Sequence, residues 1–348
     1  MKKNALTKFS TIILFSLLNS TFVFSQSESI NYQLDQLINT KIQEELFNGS
    51  ILITKKNKIL YKKSFGFSNI EKANKINYQS IFKIGSITKQ FTAALILKLI
   101  DQDRLEMKED ISKYIIEANY KNKITVEQLL NHTSGIPNYY FFEDYTTFKA
   151  EKLSTKDMLE KIVKKPLDFD PGTNYKYSNS GYYLLGIIIE KVTGLSYKNA
   201  IKTFITAPLK LKSTSVSDKH TLLVNGYKKS YSKLIPSDPI NIMVPYSAGA
   251  MISNLGDLLK WHNSLFNGFL SKESLQLMIK PQKGNYGYGL WITNTDYGKK
   301  IWHTGGIDGF RCIMSYYPEK DIHLIILTNV EGFKIKNLDN DILKIINE

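Results

Sequence analysis

The sequence predicts an α+β fold whose sheet is antiparallel and is built from both ends of the chain. Strand patterns occur over residues 50–65 and return over 286–328, whereas the stretch of about 86–280 between them is mostly helical. Two strand-bearing ends separated by a helical middle are expected to share one sheet, with the helical lobe packed against it. We expect ligands in the cleft between this lobe and the sheet.

The first 25 residues have the layout of a secretory signal peptide. A basic start at Met1–Lys3 is followed by a largely apolar stretch over 11–24 and by a small-residue cleavage site before Gln26. The apolar stretch has only about 14 residues, fewer than the roughly 20 that a membrane-spanning helix needs. We therefore expect an exported protein, periplasmic or secreted, without a stable membrane span. Its mature part, 26–348, is predicted to be a single domain.

Local signals predict the individual elements in order. Residues 30–46 have the spacing of an amphipathic helix, and 50–54 and 59–65 are predicted to be the two strands of a hairpin. A helix over 180–192 is closed by Gly194, the residue type that most often ends helices. Four further strands and a last helix are predicted over 286–293, 300–303, 310–317, 323–328 and 335–346.

The composition excludes several classes of protein. A single cysteine, Cys312, rules out an internal disulfide, so the fold depends on burial of apolar side chains. The formal net charge of +14 falls to +11 without Lys2, Lys3 and Lys8. Only two of the 46 basic residues are arginines, and no nucleic-acid motif accompanies them, so we expect no nucleic-acid partner. Attraction to anionic polymers of the cell envelope is the remaining alternative for this charge.

The segment FKIGSITKQF, residues 82–91, places a lysine where a buried helix should avoid one. Eight of the ten residues over 91–100 are apolar, which predicts a helix buried on every side. Lys89 lies in its first turn, where the helix dipole repels a cation, and shares a face with Ser86. Burial lowers the pKa of such an amine, and a neutral amine beside a hydroxyl activates a nucleophile. The Ser86 backbone N–H can also donate to an oxyanion.

The Ser-x-x-Lys spacing alone is weak support, because it occurs three times, at 80/83, 86/89 and 230/233. Only the second occurrence opens a long apolar helix. The alternative for that pair is that Ser86 caps the helix while Lys89 reaches out to solvent.

Two further motifs can complete a site. Tyr177-Ser178-Asn179 lies in a turn between Pro171-Gly172 and the 180–192 helix. A phenol beside a lysine can relay protons, and an Asn amide can hold both that lysine and a substrate carbonyl. His303-Thr304-Gly305 occurs once, at a strand end, and Gly305 and Gly306 allow a substrate backbone to lie close along the strand edge. The alternative for His303 is a buried structural histidine.

In this order, the three motifs resemble those of the serine β-lactamase/penicillin-binding-protein superfamily. The chain is most similar to the class C β-lactamase-related branch, peptidase family S12, which includes D-alanyl-D-alanine carboxypeptidases, D-aminopeptidases and esterases. The resemblance extends to TVEQLLNHTSGIP, SAGAMISNLGDLLKW and YYPEKDIHLIILTN and covers about residues 31–335. It implies a β-lactamase/transpeptidase-like fold.

The resemblance also implies a role for each motif residue. Ser86 is the expected acylated nucleophile, Lys89 the group that takes its proton, and Tyr177 the acid/base for the leaving group and the deacylating water. Asn179 is expected to hold Lys89 and the substrate. On the β-strand, His303, Thr304 and Gly306 are expected to bind substrate, and the backbone N–H groups of Ser86 and Gly306 to form the oxyanion hole.

His303 stands where most β-lactamases of this superfamily carry lysine, which favours a peptidase or esterase. The expected function is an exported serine hydrolase of D-amino-acid peptides, amides or esters, and its substrate a small molecule or a peptide, with the cell wall as one source. A true β-lactamase and a non-catalytic penicillin- or wall-binding protein are the alternatives. We expect a monomer, and the resemblance implies no cofactor. We expect no metal either, because the five histidines lack metal-ligand spacing.

Arg311, eight residues after His303, is the remaining candidate for substrate binding. Its planar guanidinium suits a substrate carboxylate better than a lysine does. The alternative is a surface ion pair with Asp308 or Glu319. His132, in the LLNHTSGIP segment, is interpreted as structural.

Overall fold

The computed structural model describes residues 29–118, 120 and 123–347, so the predicted signal peptide lies outside the described residues. The strands are β1 Gly49–Lys55, β2 Lys58–Phe65, β3 Phe67–Asn69, β4 Asn74–Lys75, β5 Phe82–Lys83, β6 Ser215–Val216, β7 Tyr227–Ser230, β8 Lys233–Pro236, β9 Met251–Ser253, β10 Trp291–Thr295, β11 Gly298–Ile307, β12 Phe310–Tyr317 and β13 Ile322–Thr328. The α-helices are α1 over 29–45, α2 Thr88–Ile100, α3 Val126–Leu130, α4 Tyr145–Phe148, α5 Thr155–Val163, α6 Asn179–Thr193, α7 Tyr197–Ile201, α8 Tyr246–Gly249, α9 Leu255–Ser264, α10 Lys272–Met278 and α11 Ile335–Ile345.

The main sheet joins both ends of the chain. It has six strands in the order β10-β11-β12-β13-β1-β2, and all neighbours are antiparallel. β1 pairs with β13 along its whole length, from Gly49 opposite Thr328 to Lys55 opposite Ile322. Every residue of β13 is buried, as expected for a central strand covered on both faces. The predicted α+β fold with one antiparallel sheet from both chain ends is confirmed.

Helices cover both faces of this sheet. On one face, the buried α2, α6 and α9 pack in a large apolar cluster that includes Leu95, Ile188 and Met314. On the other face, α1 and α11 pack through a second cluster around Ile38, Ile313 and Ile342. Burying each such aliphatic side chain contributes about 1.5–3 kcal/mol. None of the helices in the described ranges combines the length and the apolarity that crossing a bilayer requires.

Two stretches differ from the sequence prediction. The strand predicted over 286–293 begins only at Trp291, because Gly289 has a φ of +74° and the Gly287 N–H donates to Leu290 O, which makes a turn. The helical lobe also contains short strands, since β5, β9 and β6 form a small sheet and β7 and β8 a hairpin.

Candidate active site

Ser86 lies in a tight turn that connects the small sheet to α2. After β5, a 3-10 turn over Gly85–Ile87 leads into α2 at Thr88, and the Ser86 hydroxyl makes no helix-cap hydrogen bond. Gly85 has a φ of +50°, and a Cβ there would lie 2.7 Å from the Gly306 nitrogen. Glycine is therefore needed for this turn to pack against β11. Ser86 is partly exposed, so its hydroxyl oxygen can reach a ligand bound in the cleft.

Lys89 is fully buried directly below Ser86. Its Nζ lies 3.1 Å from Ser86 Oγ, 2.7 Å from Asn179 Oδ1 and 2.7 Å from the Ala248 carbonyl oxygen. Within the described ranges it forms no ion pair, and burial holds its pKa well below the ordinary lysine value. The alternative that Lys89 reaches solvent while Ser86 caps the helix is therefore wrong.

These contacts fit a neutral amine. Two N–H groups can donate to the two closest acceptors, Asn179 Oδ1 and Ala248 O, which leaves the lone pair of Lys89 Nζ facing the more distant Ser86 Oγ. The Ser86 hydroxyl can then donate to Nζ. This is the geometry of a nucleophile with its general base.

Tyr177 lies next to Lys89, just before α6. The Lys89 Nζ is 5.0 Å from the centre of its ring, and the Trp291 ring stacks on it at 5.6 Å with an angle of 14° between the planes. Burial raises the pKa of Tyr177 well above that of a free phenol, and the contact with the Ser86 hydroxyl acts in the opposite direction. The phenol is therefore protonated at neutral pH and suited to give a proton to a leaving group.

His303 is fully buried beneath this group. Its Nδ1 lies 2.6 Å from Thr304 O, and its Nε2 lies 3.0 Å from the Tyr286 hydroxyl. A carbonyl can only accept, so Nδ1 carries the proton and Nε2 accepts from Tyr286. Burial lowers the pKa of His303 to about 3. The imidazole is therefore neutral at pH 7.

The part of β11 beside Ser86 is a free strand edge. β10 pairs with β11 only as far as Trp302, and over 303–307 that edge has no strand partner among the described residues. The backbone that approaches Gly305 closely is the protein's own and not a substrate's, because a Cβ there would lie 1.9 Å from Ile84 O. The Gly306 backbone reaches the Ser86 turn, as an oxyanion hole made by the two N–H groups requires.

Arg311 extends from β12 beside this edge. It is the cross-strand partner of Gly306, and its Nη1 donates to Phe310 O at 2.9 Å. Within the described ranges it forms no ion pair, because Asp308 pairs instead with Lys149. The alternative of a pair with Asp308 or Glu319 is wrong, and the guanidinium remains free to meet a ligand.

The predicted site residues lie around one cleft of about 900 Å³. The structure places Lys89 just below its floor. The residues that line it are Ser86, Tyr177, Asn179, His303, Thr304, Gly306 and Arg311. Among the described residues, no group of three or more His, Cys, Asp or Glu side chains is placed to hold a metal ion.

A comparison with known proteins identifies the family of this chain. Residues 34–346 match the Beta-lactamase family. The chain belongs to this family. The three motifs predicted from the sequence lie together around Ser86.

Two solved structures and one curated relative illustrate the similarity. Protein flp of Staphylococcus aureus (strain N315) is 30% identical over 326 residues, and the match covers 88% of this chain but only 64% of flp. The octameric penicillin-binding protein homologue from Pyrococcus abyssi has a TM-score of 0.78 at 29% identity, covering 88% of this chain and 75% of that one. A D-stereospecific amidohydrolase from Streptomyces sp. has a TM-score of 0.72 at 26% identity, with coverage of 84% and 92%.

Several groups in this Beta-lactamase-family site were not predicted. The Ala248 carbonyl that binds Lys89 has no signal in the sequence, because any residue carries a carbonyl. Tyr286 contacts His303, and Trp291 contacts Tyr177. The sequence prediction assigns both aromatic residues to a strand and gives neither a role in the site. His132 fits its structural interpretation, since its Nδ1 accepts from the Ser178 N–H at 3.2 Å.

Proposed function

We propose that this protein is an exported acyl-enzyme hydrolase that acts on D-amino-acid peptides, amides or esters. The observation that carries the proposal is the buried Lys89, whose depressed pKa and contact with Ser86 Oγ make it a base for a serine nucleophile.

Acylation begins when Ser86 Oγ attacks the substrate carbonyl carbon and its proton passes to Lys89 Nζ. The negative charge that develops on the carbonyl oxygen is stabilised by the N–H groups of Ser86 and Gly306. As the intermediate collapses, the bond to the leaving group breaks, and Tyr177 gives that group its proton. The Lys89 ammonium then returns a proton to Tyr177, so the acyl-enzyme has no added charge.

Deacylation uses the same relay in the opposite direction. A water molecule attacks the acyl carbon and gives a proton to Tyr177, while Tyr177 passes its own proton to Lys89. Collapse of the second intermediate releases the acid, and Lys89 returns a proton to Ser86 Oγ. Asn179 fixes Lys89 throughout, because its Oδ1 accepts from Nζ at 2.7 Å.

Two observations support D-amino-acid derivatives over β-lactams as substrates. The Streptomyces D-stereospecific amidohydrolase shares the fold over most of both chains. In addition, the residue at position 303 is histidine, and its low pKa leaves it without the cation that lysine provides to most β-lactamases. A β-lactam carboxylate would therefore have to be bound by other cations of the cleft, such as Arg311.

A fluorophosphonate label and a substrate panel test this function. We expect a mass increase of one label per chain in the wild type and none in Ser86→Ala. Ser230→Ala is the matched control, because Ser230 has the same spacing to a lysine but lies on the β7–β8 hairpin. D-alanyl amides and esters should be turned over faster than their L-isomers and than nitrocefin. Labelling that survives in Ser86→Ala contradicts the assignment.

Export and a monomeric state are further parts of the proposal. The signal-peptide pattern over 1–25 supports export, and cell fractionation with N-terminal sequencing of the mature protein tests it. We expect Gln26 as the first residue. Light scattering on the purified protein tests the monomer, and an assembly such as the octamer of the Pyrococcus abyssi homologue is the contrary outcome.

A further inference from the structure

An ion pair joins the two lobes at one end of the cleft. Lys149 directly follows α4 in the helical lobe, and Asp308 lies in the turn between β11 and β12. Their side chains are in contact and only 17% and 13% exposed, and both line the cleft. The two groups therefore form part of its wall instead of a pair on the outer surface.

Fixed contacts hold both partners in place. The Asn241 N–H donates to the Lys149 carbonyl oxygen at 2.8 Å, which ties that backbone to the loop after β8. On the other lobe, Glu331 Oε2 accepts from the Gly309 N–H, next to Asp308, at 3.2 Å. Burial by itself would lower the pKa of Lys149, but the hydrogen bond with Asp308 and the nearby negative charges outweigh it and the pKa is raised, so this amine stays charged at neutral pH. A wall built in this way resists displacement by a ligand.

The pair lies directly on the path of an extended ligand. A substrate that aligns with the free edge of β11 passes Gly306, the residue beside the nucleophile, and then meets Asp308 two residues later. At about 3.3 Å per residue, the distance between these two positions is roughly 7 Å. On that side of the reacting bond, the cleft has room for about two residues of an extended chain.

We propose that the Lys149–Asp308 ion pair limits the length of the substrate, so that the enzyme acts near one end of a peptide and not in its middle. The inference rests on the proposed function. It names a specificity determinant outside the catalytic group, because neither side chain contacts Ser86, Lys89 or Tyr177.

Two series of capped D-alanyl peptides test the proposal. One series extends the substrate by one to five residues on the amino side of the reacting bond, and the other extends it on the carboxyl side. For the wild type, kcat/KM should fall by at least about tenfold beyond two residues in one series. In Lys149→Met and in Asp308→Asn the fall should shrink to less than about threefold, while the shortest substrate is hydrolysed at the wild-type rate.

Two controls separate this effect from a general loss of structure. Lys149→Arg keeps the ion pair and should keep the length limit. Lys161→Met removes the pair with Asp144, also in the helical lobe but more exposed, and should leave the length profile unchanged. Equal length profiles in the wild type and in both pair-breaking variants overturn the proposal, as does a wild type that hydrolyses long peptides as well as short ones.

Labelling of Ser86 with fluorophosphonate does not depend on peptide length, so it distinguishes the two levels of the hypothesis. Unchanged profiles with intact labelling contradict the length limit alone. A protein that neither labels nor hydrolyses any member of the two series contradicts the proposed function and this inference together.

Discussion

Replacing Lys89 by arginine tests whether the lysine acts as a base or only as a positive charge. Arginine keeps the charge, but its guanidinium does not lose a proton in proteins. In the structure, Lys89 Nζ has two acceptors at 2.7 Å, the more distant Ser86 Oγ at 3.1 Å and no carboxylate partner among the described residues, and its burial favours the neutral amine. Lys89→Arg should therefore be nearly as damaging as Lys89→Ala.

The magnitude follows from the step that is lost. Positioned acid–base catalysis contributes about 10²–10⁴ in rate, which corresponds to roughly 2.7–5.5 kcal/mol in the activation free energy. Arginine is also larger than the space available, because α2 is buried on every side around position 89. We expect kcat/KM for a D-alanyl ester to fall by about 10²–10⁴ in both variants.

The assay combines ester hydrolysis with the rate of Ser86 labelling. Both rates should fall together, since Ser86 is activated by the same amine, and circular dichroism checks that the variants fold. In the wild type, kcat/KM should rise with pH through a pKa well below that of ordinary lysine. Activity of Lys89→Arg within about threefold of the wild type would refute the base role and leave Tyr177 as the base.

Three further predictions concern the residues around this base. Asn179→Asp places a carboxylate 2.7 Å from Lys89 Nζ, which should raise the lysine pKa and shift the rising limb of the pH–rate profile to higher pH; an unmoved limb contradicts the assignment of that limb to Lys89. His303, with a pKa of about 3 in the fold and about 6.5 in the unfolded chain, takes up its proton first in the unfolded state, so stability should fall as the pH drops from 6.5 towards 3, by up to ~5 kcal/mol. Urea unfolding of the wild type and His303→Asn at pH 7 and 4.5 measures this, and an equal pH dependence of the two proteins contradicts it. Arg311→Met should lower kcat/KM about 10–100-fold for substrates with a free carboxylate near the reacting bond and less than about threefold for the corresponding amides, as expected for loss of a charge-assisted hydrogen bond; equal losses contradict carboxylate binding.

The fold could be predicted because its main signals are local. The apolar run of β13, the apolar helix α2 and the Gly194 end of α6 each carry a pattern that one segment displays alone. Pairing of β1 with β13 followed from the order of these patterns along the chain. The turn over 286–290 could not be predicted, because alternating aromatic and glycine residues suit a strand as well as a turn, and the hydrogen bond from Tyr288 N–H to Met278 O exists only in the folded chain.

The candidate site could be predicted in its residues but not in all their protonation states. Ser86 and Lys89 are close in sequence, so helix geometry alone predicts their contact. His303 is different, because its neutral state depends on complete burial and on Tyr286, 17 positions earlier in the chain. A histidine at a strand end has no local feature that distinguishes a buried ring from an exposed one.

Burial favours the neutral form of all three ionisable groups of the site. It lowers the pKa of Lys89 and His303 and raises that of Tyr177, so each is driven towards its neutral form. The resting site thus has little formal charge to stabilise. In the proposed acylation step, the first charges to appear are the oxyanion and the Lys89 ammonium, which form together beside Ser86. Because the surroundings are poorly solvated, their mutual attraction is stronger than it is in water. A permanently charged lysine at position 303 would add a third charge beside the oxyanion and the Lys89 ammonium, whereas a neutral histidine adds none.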